Sequence, residues 1–293
     1  MSFRRIPSYA RRTGSGNRKD LQHTLIASGL GVSLGGYYLL HLEQNAAGRY
    51  RFIDVSLDSE LQAGNEAFQS MLHQYSRSIL PSHHPTTTYV RDVARRIISA
   101  SRILHPHTAS FDWQVFVIHS PTKNAMVLPG GKIFVFDGLL PITKNRDGLA
   151  AVIGHECAHQ YLRHSGERMS FMKVFIAIGV ALQAVGVDFG ISHALLKLVL
   201  ELPNSRKAEY EADRVGMDVA ARACFDPEEA IRVWQRMSQA EGQAGMDFLS
   251  THPGHENRIE KLREFLPKAQ KVYDSSECPQ LSSFRSTFAN AFA

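Results

Sequence analysis

The chain has 293 residues, of which 44% are hydrophobic and 21% charged, as is typical of a globular protein with a core. Its net charge of +5 comes from the N-terminus, where six Lys and Arg residues precede the first acid, Asp20. Removing those six charges from +5 leaves −1 for residues 20–293. A nearly neutral body lacks the basic face that nucleic-acid binding requires, so we expect no nucleic-acid partner.

The N-terminal tail, residues 1–23, is rich in Arg, Ser and Gly, a composition typical of a mitochondrial targeting segment. The uncharged run Leu25–Leu40 follows, and we predict a membrane anchor over residues 24–41. A secretory signal peptide is the alternative, although no A-x-A-like cleavage site follows directly. The positive-inside rule predicts the tail in the mitochondrial matrix and the body in the intermembrane space.

Apolar periodicity predicts two helices, Leu57 to about Ser78 and Thr88–Ser101, after a polar linker over His41–Arg51. Alternating residues then predict three strands around a Pro-Gly-Gly turn, in a small antiparallel sheet. These strands are Trp113–Ile118, Ala125–Leu128 and Lys132–Phe136.

From Asp147 onward we expect only helices, with Asp147 as the N-cap of the first one. Asp226-Pro227-Glu228-Glu229 predicts a further helix start. The apolar stretch Phe171–Val187 contains Lys173 and Gln183, which favours a buried core helix over contact with a membrane.

The cysteines Cys157, Cys224 and Cys278 are too few and too far apart for a disulfide scaffold, and no CxxC pair predicts a zinc ribbon. We expect Cys157 to be a small buried side chain, with a redox-sensitive thiol as the alternative.

The sequence His155-Glu156-Cys157-Ala158-His159 matches the pattern H-E-x-x-H within an apolar helical run. Histidines four residues apart lie on one face of a helix, so both imidazoles can reach one zinc ion. Glu156 can then act as general base toward a water molecule that zinc activates. Because five-residue matches also occur by chance, the interpretation depends on a third ligand.

His164 lies five residues after His159, whereas a metzincin needs a histidine six residues after it, so we expect His164 to be solvated or to cap the helix. Glu209 and Asp213 lie four apart on a helix predicted from about Pro203. Glu209 can complete a His-His-Glu zinc site, and Asp213 can accept the free ring N–H of a ligand histidine. Glu211 faces away from both and is excluded from that role.

Beyond H-E-C-A-H, the chain contains S-R-K-A-E-Y-E-A-D at Ser205–Asp213 and S-T-H-P at Ser250–Pro253. With these motifs it resembles the HtpX and CAAX-prenyl-protease family of membrane zinc peptidases. It is most similar to the mitochondrial inner-membrane branch, on the segments Gly48–Phe52, Asn124–Gly131 and Phe225–Met237. The resemblance covers about residues 41–270.

The resemblance implies one Zn2+ per chain on His155, His159 and Glu209, with Glu156 as base and proton shuttle. It also implies an edge strand that binds an extended substrate by main-chain hydrogen bonds, at Asn124, Ala125 and Met126. His252 sits where the family offers a group that stabilises the oxyanion, and a structural turn residue before Pro253 is the alternative. Arg258 pairs with a site carboxylate or, as we favour, is a solvated helix charge.

We therefore expect an α+β, mostly helical zincin-type metallopeptidase with a small antiparallel sheet bordering the cleft. Residues 42–275 would form the peptidase domain and 276–293 a C-terminal tail. The predicted function is hydrolysis of membrane proteins at the mitochondrial inner membrane in quality control and stress response, with a lipid bilayer and a homo-oligomer as further partners. A non-catalytic membrane scaffold with structural zinc and a soluble or secreted peptidase are the alternatives.

Overall fold

The computed structural model describes residues 28–29, 32–184, 203–240, 246–252, 257–276 and 278. The predicted N-terminal tail, parts of the predicted anchor and most of the predicted C-terminal tail lie outside the described residues. Within the part of the chain that the structure describes, no helix combines the length and apolar character needed to cross a membrane. Residues 32–40 are helical and exposed.

Most of the described chain is helical. The helices are α1 (Leu57–Tyr75), α2 (Pro85–Leu104), α3 (Leu140–Thr143), α4 (Arg146–Tyr161), α5 (His164–Ala184), α6 (Pro203–Arg222), α7 (Glu228–Gln239), α8 (Phe248–Thr251) and α9 (Arg258–Asp274). Short 3-10 turns occupy Pro106–Ser110 and Asp137–Leu139. The predicted starts near Pro203 and after Asp226 are confirmed.

The predicted polar linker is wrong, because its residues form a small hairpin. Strand β1 (Leu42–Gln44) pairs antiparallel with β2 (Tyr50–Phe52), and Gly48 at the turn has a φ of 90°. The hairpin is held to the rest of the molecule by ion pairs from its turn and by the side chain of Phe52, which is buried.

The second sheet contains β3 (Gln114–Ile118), β4 (Ala125–Leu128) and β5 (Lys132–Phe136) in the order β3-β5-β4. The Pro-Gly-Gly turn joins β4 to β5 antiparallel as expected, with φ of 89° and 92° at its two glycines, a conformation that glycine adopts freely. However, β3 pairs with β5 in parallel, so the sheet is mixed and the wholly antiparallel prediction is wrong. Strand β5 is buried at four of its five positions, and it lies between β3 and β4 at the centre of the sheet.

Helix α4 begins two residues earlier than predicted, because Asn145 and not Asp147 is its N-cap. The Asn145 side chain accepts a hydrogen bond of 2.7 Å from the Gly148 N–H. Asp147 accepts instead from the backbone N–H of Asp226, which ties the start of α4 to the start of α7. Twelve of the sixteen residues of α4 are buried, so α4 is the central helix of the core.

Helices α4 and α6 touch at two glycines, Gly154 and Gly216. A Cβ atom added to Gly216 would lie 2.7 Å from the backbone N of His155, and one added to Gly154 would lie 2.9 Å from the Gly216 carbonyl. The two backbones therefore approach more closely than any pair of larger residues would allow. This approach brings the first histidine of α4 within reach of the carboxylates of α6.

The prediction that Phe171–Val187 is a buried core helix is wrong for the residues described. Helix α5 contains them as far as Ala184, and its residues 171–180 are half-buried or exposed. Ile176 and Val180 are 60% and 62% exposed. No described element covers this apolar surface, because α5 projects beyond its contacts with α1, α4 and β2.

One disulfide joins Cys224, after α6, to Cys278, after α9, with a Cα–Cα distance of 5.0 Å. The two residues are far apart in sequence but adjacent in the fold, because α9 packs along α6. Sequence spacing alone therefore missed this long-range bridge.

Candidate metal centre

Three side chains from two helices converge on one point. His155 and His159 project from the same face of α4, and their Nε2 atoms lie 3.1 Å apart. Glu209 of α6 places its carboxylate oxygens 3.3 Å from His155 Nε2 and 3.5 Å from His159 Nε2. Glu209 is 54 residues from His155 and 50 from His159 in the sequence. The sequence predicts that the three side chains meet, and the structure places them together.

The geometry of these donors fits a zinc ion. With zinc–ligand bonds of about 2.1 Å, tetrahedral coordination puts neighbouring ligand atoms about 3.4 Å apart. The three separations of 3.1, 3.3 and 3.5 Å bracket that value. Imidazole nitrogen and carboxylate oxygen are also the donors that catalytic zinc sites use.

His252, at the end of α8, joins the cluster from a third direction. Its Nδ1 lies 3.1 Å from Glu209 Oε2 and 3.3 Å from His155 Nε2, and its donor atom lies within 4.8 Å of the other three. Its Nε2 lies 3.2 Å from Glu156 Oε1. The structure therefore places His252 in the cluster, where it is also the residue that ends α8.

Glu156 is 4% exposed and lies beside the three converging donors. Its Oε1 lies 3.2 Å from His252 Nε2 but forms no well-aligned hydrogen bond among the described residues. Burial raises the pKa of Glu156, while His252 and His155 act in the opposite sense. A carboxylate with a raised pKa accepts a proton more readily, as a general base requires.

Asp213 holds the second nitrogen of His155. Its Oδ1 lies 2.9 Å from His155 Nδ1, so His155 donates its Nδ1–H to Asp213 and keeps Nε2 free to face the cluster. Arg258 of α9 in turn donates to both oxygens of Asp213, at 2.6 and 2.8 Å. It also lies 3.1 Å from Glu209 and 3.4 Å above the ring of Trp234. With 2% exposure, Arg258 is no solvated charge, so that part of the sequence interpretation is wrong.

His164, predicted to be solvated, is buried behind the second ligand histidine. Its Nδ1 lies 2.9 Å from His159 Nδ1, and its Nε2 lies 3.1 Å from Glu211 Oε2. If His159 Nε2 faces the metal, His159 donates its Nδ1–H to His164, which then donates Nε2–H to Glu211. The burial of His164 lowers its pKa, against the effect of Glu211, which keeps this imidazole in the neutral form that can accept.

Arg49 completes this chain of contacts from the hairpin. Its guanidinium group lies 2.6 Å from Glu211 and 2.7 Å from Glu167 of α5. Burial would raise the pKa of Glu211, but its hydrogen bonds to His164 and Arg49 outweigh that effect and lower the pKa to about 2. Sequence reasoning excluded Glu211 from the metal correctly, yet missed that Glu211 supports the other ligand histidine. The sequence did carry a signal for this role. Glu211 lies two residues from both Glu209 and Asp213, so it projects from the other side of α6, where His164 lies.

The predicted substrate strand lies next to the motif helix. Among the described strands, β4 pairs with β5 alone. Two groups on its other edge are occupied, because the Val127 carbonyl accepts from Gln160 of α4 and the Ala125 N–H donates to Asn124 Oδ1. Asn124 and Ala125 are buried and Met126 is half-buried. Asn124 is occupied with local contacts, because its Oδ1 accepts from the Ala125 N–H.

Cys157, between the ligand histidines, points into the core. It is fully buried, and burial raises the pKa of its thiol to about 12. The interpretation of Cys157 as a buried apolar side chain is confirmed.

An HExxH helix completed by a glutamate from a second helix defines the class of zinc metallopeptidases called gluzincins. The profile of Peptidase family M48 matches residues 85–266, and the chain belongs to that family. The predicted fold class and the prediction of a metalloendopeptidase are thereby confirmed.

Curated relatives extend the similarity beyond the family match. The mitochondrial metalloendopeptidase OMA1 of Schizosaccharomyces pombe is 44% identical over 92% of this chain and 81% of its own length. The Saccharomyces cerevisiae protein of the same name is 37% identical over 88% and 80%. The human metalloendopeptidase OMA1 is 29% identical over 87% of this chain and 52% of its own length.

Proposed function

We propose that this chain hydrolyses peptide bonds of membrane proteins at the mitochondrial inner membrane, in quality control and stress response. One zinc ion per chain would be held by His155, His159 and Glu209. The observation that carries the proposal is the convergence of these three donors at spacings of 3.1 to 3.5 Å beside the buried carboxylate of Glu156.

Zinc at this point would act as a Lewis acid that polarises the scissile carbonyl and lowers the pKa of water. Glu156 takes the proton of the attacking water and passes it to the departing amine. Its raised pKa and its buried position beside the three donors support this role. His252 donates toward the oxyanion that forms on the carbonyl, and its Nε2, near Glu156, lies close to the reacting groups.

The other residues of the site orient those that react. Asp213 fixes the ring of His155, with Arg258 bound to its two oxygens. The outer edge of β4, from Asn124 through Ala125 and Met126, adds an extended substrate segment by main-chain hydrogen bonds.

Exposed apolar side chains support contact with a lipid bilayer. In residues 32–40, Val32, Leu39 and Leu40 are 77%, 67% and 85% exposed. This segment meets α5 at one aromatic cluster, where Tyr38 stacks on Phe52 and Phe52 contacts Phe171. Two apolar helical surfaces thus extend from the same corner of the domain, as expected of a domain that rests on a membrane.

The mitochondrial setting comes from the relatives, two of which share most of their length with this chain. The Cys224–Cys278 disulfide supports an intermembrane-space position for the domain, because disulfides persist outside strongly reducing compartments. A homo-oligomer stays a prediction of the family resemblance.

Metal analysis tests the centre directly. By mass spectrometry we expect about one zinc per wild-type chain and most of it lost in Glu209→Ala, since a His-His pair alone binds weakly. The control is Glu66→Ala, an exposed glutamate of α1, which should keep the zinc. Zinc retained at wild-type affinity in Glu209→Ala would contradict the proposed ligand set.

A scaffold with structural zinc is the rival function. Glu156→Gln should lower hydrolysis of a protein substrate by about 10²- to 10⁴-fold with zinc content and melting temperature unchanged. Equal hydrolysis by the variant would refute the catalytic role. Carbonate extraction of mitochondria separates the remaining alternatives: an anchored protein stays in the pellet, and release of the intact chain would exclude the anchor.

A further inference from the structure

Within the described residues, the outer edge of β3 is open near Val115, and a cationic groove lies along it. The groove has a volume of about 890 Å³ and lies between β3, the end of α1 and one face of α2. Because β3 and β4 flank β5 on opposite sides, the groove is separated from the proposed substrate edge by two strand spacings, about 10 Å. It is therefore not part of the metal centre.

One wall of the groove is a row of arginines. Arg91, Arg95 and Arg102 are four and seven residues apart, so they lie on one face of α2. Arg95 and Arg102 are exposed, and among the described residues none of the three forms an ion pair with a carboxylate. No acidic residue lines the groove within the described chain. The groove thus has three positive charges without a partner, over a floor that includes Ile98, Trp113 and Phe116.

The backbone of β3 adds hydrogen-bonding groups to this surface. Gln114 donates its N–H to Gly131, toward β5, so the alternation of a strand turns the N–H and C=O of Val115 away from β5 and toward the groove. The protein already uses the same edge farther along. Leu80 donates to the Val117 carbonyl at 2.8 Å, and the antiparallel contact ends at Pro81.

A buried hydroxyl at the groove also lacks a partner. Thr87, in the first turn of α2, is 2% exposed and lines the groove, yet its Oγ1 has no hydrogen-bond partner in the described structure. A polar group of a ligand in the groove would satisfy this hydroxyl, which is costly to leave unpaired.

We propose that this groove is an exosite that binds an extended acidic segment of a protein substrate as an additional strand on β3. Main-chain hydrogen bonds to Val115 hold the segment, and alternate carboxylates meet the arginine row on the α2 side of the sheet. The intervening apolar side chains lie on the other face of the sheet, where they contact Phe116. The proposal rests on the proposed peptidase function and adds to it a preference for substrates with an acidic extended segment away from the cleaved bond.

Peptide binding to the inactive full-length Glu156→Gln chain tests the groove. The probe is a fluorescein-labelled octapeptide of alternating valine and glutamate, measured by fluorescence anisotropy. We expect Arg91→Glu/Arg95→Glu to weaken binding by about tenfold or more, and Thr87→Val by about two- to tenfold. The matched control is Arg206→Glu/Arg263→Glu, with the same charge change at exposed arginines of α6 and α9, and it should bind like the parent chain.

Two further probes separate the contributions of charge and backbone. A valine–glutamine octapeptide should bind at least about tenfold more weakly, because it lacks the carboxylates. The valine–glutamate peptide with N-methylated valines should also lose binding, because it cannot pair with β3. Equal affinity for either probe, or an unchanged affinity in the arginine variant, overturns the proposal. Binding of anionic phospholipid vesicles without peptide binding also overturns it and assigns the groove to lipid.

Hydrolysis of a short neutral peptide by the chain with Glu156 intact keeps the two proposals apart. If this peptide is cleaved but the acidic octapeptide does not bind, the exosite is refuted and the peptidase function stands. If nothing is cleaved, the peptidase function is refuted whatever the octapeptide does.

Discussion

Arg258 binds several of the buried groups around the metal centre. It binds both oxygens of Asp213, approaches Glu209 and stacks on Trp234 while 2% exposed. Replacing it with methionine keeps much of the packing but leaves the buried carboxylate of Asp213 without its cation. Removing one partner of a buried ion pair typically costs about 3–5 kcal/mol, so we expect Arg258→Met to lower the free energy of unfolding by about that amount.

Urea unfolding of the zinc-loaded protein measures this loss. The control is Arg263→Met on the same helix, where the side chain is exposed and the change should be within about 0.5 kcal/mol. Equal stabilities of the two variants would show that Arg258 contributes only as an exposed charge would.

His105 gives the molecule a dependence on pH that is separate from catalysis. It stacks on Tyr161 at 4.8 Å, and burial lowers its pKa from 6.5 to about 4. The unfolded chain therefore binds a proton in this range that the folded chain does not, so stability from this residue is present above pH 6.5 and is lost as the pH falls toward 4.

We expect His105→Phe, which keeps the stacking, to lose less stability than wild type between pH 7 and pH 5. Urea unfolding at the two pH values measures the difference. An identical loss in both proteins would mean that His105 is protonated without cost in the folded state.

At the scale of elements, the hairpin and the motif helix are joined by one line of contacts. Arg49 binds Glu211, Glu211 binds His164, and His164 contacts His159. Outer partners of ligand histidines typically change metal affinity by about 10- to 100-fold, and we expect His164→Ala to weaken zinc binding by that factor. Competition with a chromophoric chelator measures the affinity.

Asparagine at position 164 can still accept from His159 and should restore part of the affinity, which a purely structural role would not predict. His73→Ala, at an exposed histidine of α1, is the control and should leave the affinity unchanged. Full affinity in His164→Ala would rule out the orienting role.

The order of the strands was the part of the fold that local sequence could not predict. The Pro-Gly-Gly turn specified β4 beside β5, since adjacent strands with a tight turn pair antiparallel. Strand β3 pairs with β5, the most buried of the three strands. Which strand is most buried depends on the packing of the whole core and not on local sequence. Likewise, the run in α5 is apolar enough for a core, yet no described element packs over residues 176–180.

The metal centre was more predictable than its surroundings. Ligands on helices obey fixed spacings, so His155, His159, Glu209 and Asp213 could be grouped from sequence. Arg258 and His164 could not, because an arginine or histidine in a helix is usually solvated, and only the approach of α9 and α6 buries these two. Their contacts cross 45 and 47 residues of sequence without a repeating pattern.

At the scale of the whole molecule, the Cys224–Cys278 disulfide closes a loop of 54 residues around α7, α8 and α9. A loop of that length implies about 4 kcal/mol of stabilisation in the chain-entropy account. We expect Cys224→Ser to lower the melting temperature in non-reducing buffer. Dithiothreitol should lower it in wild type and have no further effect in the variant; equal melting of oxidised and reduced wild type would contradict a stabilising role.

Helix α6 can pack closely on α4 because Gly154 and Gly216 have no side chains at the point of contact. The position of the third ligand, Glu209, depends on this close packing. Its carboxylate belongs to α6, and the depth of α6 against α4 is fixed where a single methyl group would meet the backbone of His155. A natural variant with alanine at position 216 would keep every ligand and every charge of the site. We nevertheless expect such a variant to lose peptidase activity, because the third ligand would be displaced. A search restricted to the polar residues of the site would not find the cause.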